Sequence, residues 1–242
     1  ERPIFVTSVR SSEIIKYASN AMLASRISFM NQLSQLCDAV GADIKDVATG
    51  IGMDKRIGSR YLQAGLGYGG SCFPKDVKSL AATLRAHGLD SNLIESIDRV
   101  NERQKTSIFP HIKKKLKEFH NKNIGIWGIA FKPKTDDIRE APSIAIINQF
   151  LLEGANITAF DPIAMDNAKK IFGNKIKYAK DFYECAKSAD CIILVTEWDE
   201  FRNPDWQKIK KLMKGKIIVD GRNIYDPKTI KSFGFDYIGI GR

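Results

Sequence analysis

The amino-acid sequence predicts an α/β protein in two parts: an all-helical part over residues 1–120 and a mostly parallel α/β part over residues 121–242. Three observations carry this expectation. Apolar residues at helical spacing run from Ser11 to Ala39 without a Pro or Gly. After residue 120 the period changes, and short apolar runs alternate with helical stretches, the βαβα pattern of a parallel sheet with helices on both faces. The 242 residues, 43% of them hydrophobic, suffice for real cores and exclude the disordered and collagen-like classes.

In the first helical stretch the apolar set is Ile14, Ile15, Ala18, Met22, Ile27, Met30, Leu33, Leu36 and Cys37, with Ser11 and Ser12 as caps and Gly41 as the stop. A helix this long exceeds the usual globular range, which predicts that it spans a domain or pairs with a second copy. Between Gly50 and Gly70 lie seven of the 18 glycines, a density that predicts loops. A second helix runs from Lys75 to His87, with Pro74 at its first turn and Gly88 past its end. A third helical pattern covers Ser91 to His120, a long link to the second part, and Pro110 is expected to kink or split it. Beyond it the apolar runs Ile124–Trp127, Ile157–Phe160, Cys191–Val195 and Ile217–Val219 read as strands. The stretches Ser143–Glu153, Met165–Phe172, Asp181–Lys187 and Trp206–Met213 read as helices, and the domain boundary falls near residue 120.

Charge and composition bound the function. The chain carries 38 Lys and Arg against 28 Asp and Glu, a net +10 that raises nucleic-acid binding as a reading. The excess is spread, 18 against 12 over residues 1–120 and 20 against 16 over residues 121–242, and the one tight run, Lys113-Lys114-Lys115, lies in a helical pattern as a solvated face would. Interleaved aromatics and clustered basic motifs are lacking, so no nucleic-acid partner is expected. No apolar stretch reaches the ~20 residues of a membrane span, and no export signal opens the chain, which predicts a cytoplasmic protein without a membrane partner. Cys37, Cys72, Cys185 and Cys191 form no CxxC pair and stand near no histidine cluster, so neither a metal site nor a disulfide framework is expected.

The strongest chemical constellation is Gly67-Tyr68-Gly69-Gly70-Ser71-Cys72-Phe73-Pro74-Lys75-Asp76. Gly69 and Gly70 permit close backbone approach to a ligand, and Cys72 precedes a helix start, where the dipole and Lys75 favour a thiolate. Asp76, one turn on, is placed to orient a water or accept a proton. The alternative is a buried structural cysteine beside a tight turn. Lys16 and Asn20, four residues apart on the first helix, share a face and are placed to stabilise an oxyanion, unless Lys16 is only a solvated surface cation. Gly125-Ile126-Trp127-Gly128 lacks the glycine fingerprint of a dinucleotide site. Lys132, Lys134 and Arg139 precede a helix start and suit phosphates. Arg222, in Asp220-Gly221-Arg222, follows a strand, at the end where ligands of open α/β sheets bind. The three histidines receive no role.

Together these segments resemble the UDP-glucose 6-dehydrogenase family, within the UDP-glucose/GDP-mannose dehydrogenases. The likeness is carried by Lys16-Tyr17-Ala18-Ser19-Asn20, by Arg56-Ile57-Gly58 with Tyr61-Leu62-Gln63-Ala64-Gly65, by the Cys72 motif, by the run from Gly128 to Arg139, and by Asp220-Gly221-Arg222. The resemblance implies a helical central dimerisation domain bearing the catalytic Cys (residues 1–120) and a Rossmann-like UDP-sugar-binding domain (residues 121–242). It also implies that the N-terminal NAD-binding domain, with the family's catalytic Thr and Glu, is absent from this chain, so that the chain alone is inactive.

The implied reaction is oxidation of UDP-glucose to UDP-glucuronate with two NAD, through a thiohemiacetal and a thioester on Cys72. By resemblance Cys72, Lys16, Asn20 and Asp76 are catalytic, and Lys16, Arg56, Tyr61, Leu62, Gln63, Ala64, Gly65, Tyr68, Gly69, Lys132 and Arg222 bind substrate. Arg56 is expected to reach the substrate of a neighbouring subunit in a homodimer, and Lys75 and Arg139 to touch NAD, whose main site is in the missing domain. The same resemblance, through Ser71 and Lys75-Asp76, implies glucose rather than an N-acetylated hexosamine. A GDP-mannose or other nucleotide-sugar dehydrogenase, and a non-catalytic nucleotide-sugar-binding module, are the competing readings.

Overall fold

The computed structural model describes residues 3–242. Helix α1 (Val9–Val40) has 32 residues and is about 48 Å long at 1.5 Å per residue. Its cap is Ser8 rather than Ser11 or Ser12: Ser8 is extended (φ −67°, ψ 154°) and its Oγ accepts the Ser11 amide at 3.2 Å, so the helix starts two residues earlier than expected. Gly41 ends it in the left-handed conformation (φ 75°), its N–H donating to the Cys37 carbonyl. The apolar residues of α1 divide between two faces. Ala21, Ala24, Met30 and Cys37 are buried together with the polar Ser28, Asn31 and Ser34, whereas Ile15, Met22, Phe29 and Leu36 are 46–64% exposed.

Helix α2 (Ile44–Gly52), capped by Asp43 through the Lys45 amide at 2.8 Å, is an element the sequence reading did not anticipate. Of the glycine-dense stretch expected to be loop, Gly50 and Gly52 instead close α2, and residues 53–72 are turns and loops. Helices α3 (Phe73–Ala86) and α4 (Asn92–Lys105) pack on α1, enclosing a small core of Ala21, Ala24, Tyr68, Val77 and Ile97. The third helical pattern does split. The break lies at residues 106–108, and Pro110 sits in the first turn of α5 (Phe109–Leu116), where a missing N–H leaves no bond unmade. The link to the second part is therefore two helices rather than one.

The α/β part contains β1 (Asn123–Trp127), α6 (Pro142–Leu152), β2 (Asn156–Phe160), α7 (Met165–Phe172), β3 (Lys177–Tyr178) and α8 (Phe182–Ala186). It continues with β4 (Cys191–Leu194), α9 (Trp206–Leu212), β5 (Ile217–Asp220), α10 (Pro227–Ser232) and β6 (Asp236–Ile238). The sheet order is β3-β2-β1-β4-β5-β6, and every pairing is parallel, with Ile124 opposite both Ile157 and Cys191. Chain progression reverses between β1 and β4, and the crevice beyond their carboxyl ends is the ligand position of a doubly wound sheet. The β4 residues Ile192, Ile193 and Leu194 are fully buried, as a strand covered on both faces requires.

Residues 117–122 join α5 to β1, and burial is continuous across the junction. One core runs from the sheet through Ile108, Phe109, Ile112 and Phe119 to Met30, Cys37 and Ile44. It includes an aromatic cluster in which Phe109 and Phe119 both face Phe150, at 4.4 and 5.1 Å between ring centroids. The chain's last residues return to the helical part: the Ile44 amide donates to Gly241 at 3.0 Å, and Arg242 pairs with Asp43 at 2.9 Å. Among the described residues no helix is long and apolar enough to cross a membrane.

Candidate active site

Cys72 occupies the cap position of α3, and its carbonyl accepts the Asp76 amide at 2.9 Å, which places Asp76 one turn into the helix. The Asp76 side chain is wholly buried against α1. Lys16 Nζ and Asn20 Nδ2 each donate to its Oδ2 at 2.6 Å, and Lys75 Nζ pairs with Oδ1 at 3.4 Å. The i, i+4 spacing does put Lys16 and Asn20 on one face, and that face meets a carboxylate from α3. Burial pushes the Asp76 carboxyl up, but the bonds from Lys16, Asn20 and Lys75 outweigh it and hold the group below its ordinary value. The same contact raises Lys16, so the ammonium form is favoured. Lys16 keeps two N–H donors beyond the one given to Asp76, and Asn20 keeps one.

Of the four free cysteines Cys72 is exposed, while Cys37, Cys185 and Cys191 are buried, their thiols pushed up by desolvation. A negative charge on Cys72 favours the charged forms of both Lys16 and Arg139, so the thiol lies within electrostatic reach of a cation from each part of the molecule. Among the described residues no cluster of His, Cys, Asp or Glu could hold a metal ion.

The glycines preceding Cys72 are demanded by packing between the two parts. A Cβ on Gly69 would collide with the Glu140 carbonyl oxygen, and one on Gly70 (φ 83°) would lie 2.8 Å from the Phe131 ring. The Gly70 amide donates to the Arg139 carbonyl at 2.7 Å, and the Leu66 amide to Gly221 at 3.1 Å. The sequence reading reserved this close approach for a ligand; the structure gives it to the 131–141 turn of the chain itself, whose backbone and Phe131 ring occupy the space a side chain would need. Arg222 reinforces the contact. Its Nε donates to the Val195 carbonyl at 2.6 Å and stands 3.2 Å from Glu197, and its Nη1 donates to Gly67 at 3.1 Å.

The 131–141 turn is held by Asp137, which takes the Arg139 amide and a two-pronged guanidinium contact at 2.9 and 2.7 Å. Lys132 is half-buried, with Nζ 5.3 Å above the ring of Phe131, the residue seated on Gly70. Tyr61 adopts a left-handed conformation (φ 62°), unusual for a bulky residue, and its ring lies 6.3 Å from that of Phe73. Leu62, Gln63, Ala64 and Arg222 line a cavity of about 220 Å³ with Lys45 and Asn223.

Lys16, Asn20, Cys72, Lys75 and Asp76 are therefore one cluster, and Tyr61, Gly65, Gly69, Lys132, Arg139 and Arg222 border the same interdomain loop. Two expected site residues stand apart. Tyr68 is buried in the small helical core, its ring edge-on to Phe73 and its main chain bonded to Asn101. Arg56 is 90% exposed and bound to Asp54 at 2.6 Å, outside the Cys72 cluster of its own chain. Sequence reasoning missed Glu197, and also Asn31, Asn101 and Gln104, buried amides that hold the Gly65–Tyr68 main chain. The available signal was polar residues at helical spacing on faces otherwise buried: Ser28, Asn31 and Ser34 on α1, and Asn101 and Gln104 on α4.

Comparison with known proteins gives two matches to family models. Residues 10–103 match the central domain, and residues 125–227 the UDP binding domain, of the UDP-glucose/GDP-mannose dehydrogenase family. The chain is 42% identical over 243 residues to a UDP-glucose 6-dehydrogenase of Rhizobium meliloti, which covers 100% of the chain and 55% of that relative. It is 42% identical over 239 residues to one of Pseudomonas aeruginosa, covering 96% of the chain and 53% of the relative. Among solved structures, a UDP-glucose dehydrogenase from the hyperthermophilic archaeon Pyrobaculum islandicum superposes with a TM-score of 0.90 at 33% identity, over 100% of this chain and 53% of that one. The chain thus spans about half the length of the curated relatives it matches.

Proposed function

The chain belongs to the UDP-glucose/GDP-mannose dehydrogenase family, and from that premise we propose that it is the substrate-binding and dimerising portion of an NAD-dependent UDP-glucose 6-dehydrogenase. The observation that carries the proposal is the buried Asp76 carboxylate joined to Lys16 and Asn20 at 2.6 Å, one helical turn from an exposed Cys72.

In this reading Cys72 Sγ adds to the aldehyde carbon at C6 of the sugar, and the oxygen becomes an oxyanion that receives the spare N–H donors of Lys16 and Asn20. Once the adduct stands at the thioester level, the Asp76 carboxylate takes the proton of an attacking water. The water oxygen bonds to C6, the C–S bond breaks, and the thiol leaves with the carboxylate formed. Lys132 and Arg222 supply cations for the diphosphate at the carboxyl edge of the sheet.

NAD would supply the hydride acceptor, one molecule for each of the two hydrides that C6 loses. The α/β part does not fit it. Asp161, at the end of β2 where a dinucleotide fold presents an acid to the ribose, is consumed by the Ile129, Ala130, Ile163 and Ala164 amides and by Trp198 Nε1. The exposed cations Lys75 and Arg139 do fit an anionic group at the mouth of the Cys72 site.

Calorimetric titration with UDP-glucose, GDP-mannose, UDP-N-acetylglucosamine and a short DNA duplex tests the reading. UDP-glucose is expected to bind tightest and to slow alkylation of Cys72. Failure of every nucleotide sugar, with the duplex binding, would overturn it.

A further inference from the structure

We infer that Asn31 and Gln104 are positioning residues for the nucleotide-sugar site, setting the loop before Cys72 through a donor and acceptor pattern of their side-chain amides. The inference rests on the function proposed above and deepens it.

Gly65 is gripped on both sides of its peptide units. Its amide donates to Asn31 Oδ1 at 2.8 Å, and its carbonyl accepts from Gln104 Nε2 at 2.8 Å. Gln104 is itself aimed by Gln35, whose Nε2 donates to Gln104 Oε1 at 3.2 Å. Three residues on, Asn101 repeats the arrangement on Tyr68, accepting its amide at 2.8 Å and donating to its carbonyl at 3.1 Å. The residues between and beyond are held from the other part of the molecule: Leu66 by the Gly221 carbonyl, Gly67 by Arg222, and Gly70 by the Arg139 carbonyl. The segment is thus a single strand laced alternately to the helical part and to the α/β part. Tyr61, Leu62, Gln63 and Ala64, proposed to hold the sugar nucleotide, precede it, Gly65 and Gly69 lie within it, and Cys72 follows it.

The orientation of Asn31 is informative. Asn31, Asn101 and Gln104 are all but completely buried, yet Asn31 Nδ2 has no partner. A buried donor left unmade is costly, so the position is arranged for the acceptor it offers Gly65 rather than for the satisfaction of the whole amide. At Gln104 the requirement is the reverse: only a donor can meet the Gly65 carbonyl.

That asymmetry gives a test that mere filling of space would not pass. Wild type, Asn31→Asp, Asn31→Leu, Gln104→Glu and Gln104→Met are titrated calorimetrically with UDP-glucose from pH 5 to pH 8. Amide hydrogen exchange of Gly65 is followed in parallel, with thermal melts to confirm folding. Asp at position 31 keeps the acceptor and is expected to bind about tenfold more tightly than Leu, a difference of about 1.4 kcal/mol. Glu at position 104 cannot donate while ionised. It is expected to bind about tenfold more weakly than wild type at pH 8 and to recover as its buried carboxyl takes a proton, whereas Met stays weak throughout. Equal affinities for Asp and Leu at position 31, or a Gln104→Glu profile parallel to wild type, overturn the inference. A wild type that binds no nucleotide sugar overturns the proposed function instead. Hydrogen exchange at Gly65, fast in Asn31→Leu and slow in Asn31→Asp, then decides the clamp alone. Should Asn31→Leu fail to fold, the pH profile of Gln104→Glu decides it.

Discussion

Asp76 is a buried carboxylate whose three polar neighbours are all donors, so its charge and the fold depend on each other. Desolvation raises its carboxyl, but the bonds from Lys16, Asn20 and Lys75 leave it below the ordinary value. The unfolded group titrates near pH 3.9, so the folded state gains stability from it above that range and loses it as pH falls through the lower folded value. The acid limb of a melting-temperature profile from pH 2 to pH 7 should therefore be shallower in Asp76→Asn than in wild type. Identical limbs would mean that the cluster adds nothing to the fold. These residues were legible in the sequence because each pair sits four apart on its own helix. That Lys16 and Asn20 meet Asp76 was not legible, since no local pattern records which face of α1 meets α3 across some sixty residues. Asn31 and Gln104 were hidden for a related reason: a buried amide looks like a surface residue until the loop it serves is placed.

Helices with strong periodicity stand close to where their sequences put them, Met165–Phe172 being one case. Apart from α2, whose two glycines masked it, the misses are short. The strand Lys177–Tyr178 has two residues and Asp236–Ile238 three, too few for alternation to show. Helix α10 carried a readable start, Asp226 before Pro227 with Asp226 accepting the Thr229 amide, but its six residues hold too little apolar pattern to be recognised. The glycines separate loop from helix more sharply. Gly69→Ala would drive a Cβ into the Glu140 carbonyl, backbone against backbone, and is expected to cost about 1–3 kcal/mol. At about 2–4 °C per kcal/mol for a chain of this size, the thermal midpoint should fall by roughly 2–12 °C, with increased labelling of cysteines other than Cys72. Gly50 lies in α2 with open space within 4 Å of where an added Cβ would stand, so Gly50→Ala should raise the midpoint through helix propensity, by about 0.5–1 kcal/mol. Equal shifts in the two variants would refute the packing account of the loop.

At the scale of the whole molecule two surface features remain, charge and an apolar stripe. The lysine run of α5 is dispersed by its helix: Lys113 faces Glu153 at 3.7 Å, Lys115 faces Asp236 at 3.5 Å, and Lys114 borders a cleft with His111. It is not one basic patch. The stripe Ile15, Met22, Phe29 and Leu36 recurs every seven residues along α1, beside an apolar groove of about 500 Å³ lined by Phe29, Ile51, Ile57 and Leu62. A seven-residue repeat keeps one face toward a partner helix when the two coil slightly around each other. In a two-fold dimer both copies bury the stripe; its eight side chains are already about half covered in the single chain, so each gains about 0.75–1.5 kcal/mol, or about 6–12 kcal/mol gross, comparable with an association cost of about 4–15 kcal/mol. With the adjoining apolar groove covered as well, self-association through α1 is the expected state. It would also explain why Arg56 stands outside its own chain's Cys72 cluster, since a dimer offers it a neighbour's site. Sedimentation equilibrium at micromolar concentration should give about twice the 27.1 kDa chain mass for wild type, one chain mass for Phe29→Lys, and an unchanged dimer for Leu152→Lys on the exposed surface of α6. If the second site is completed by the partner, Phe29→Lys and Arg56→Gln should weaken UDP-glucose binding to a similar degree, and combining them should weaken it little further. A monomeric wild type, or fully additive losses in the double variant, would break the link between the stripe and the site.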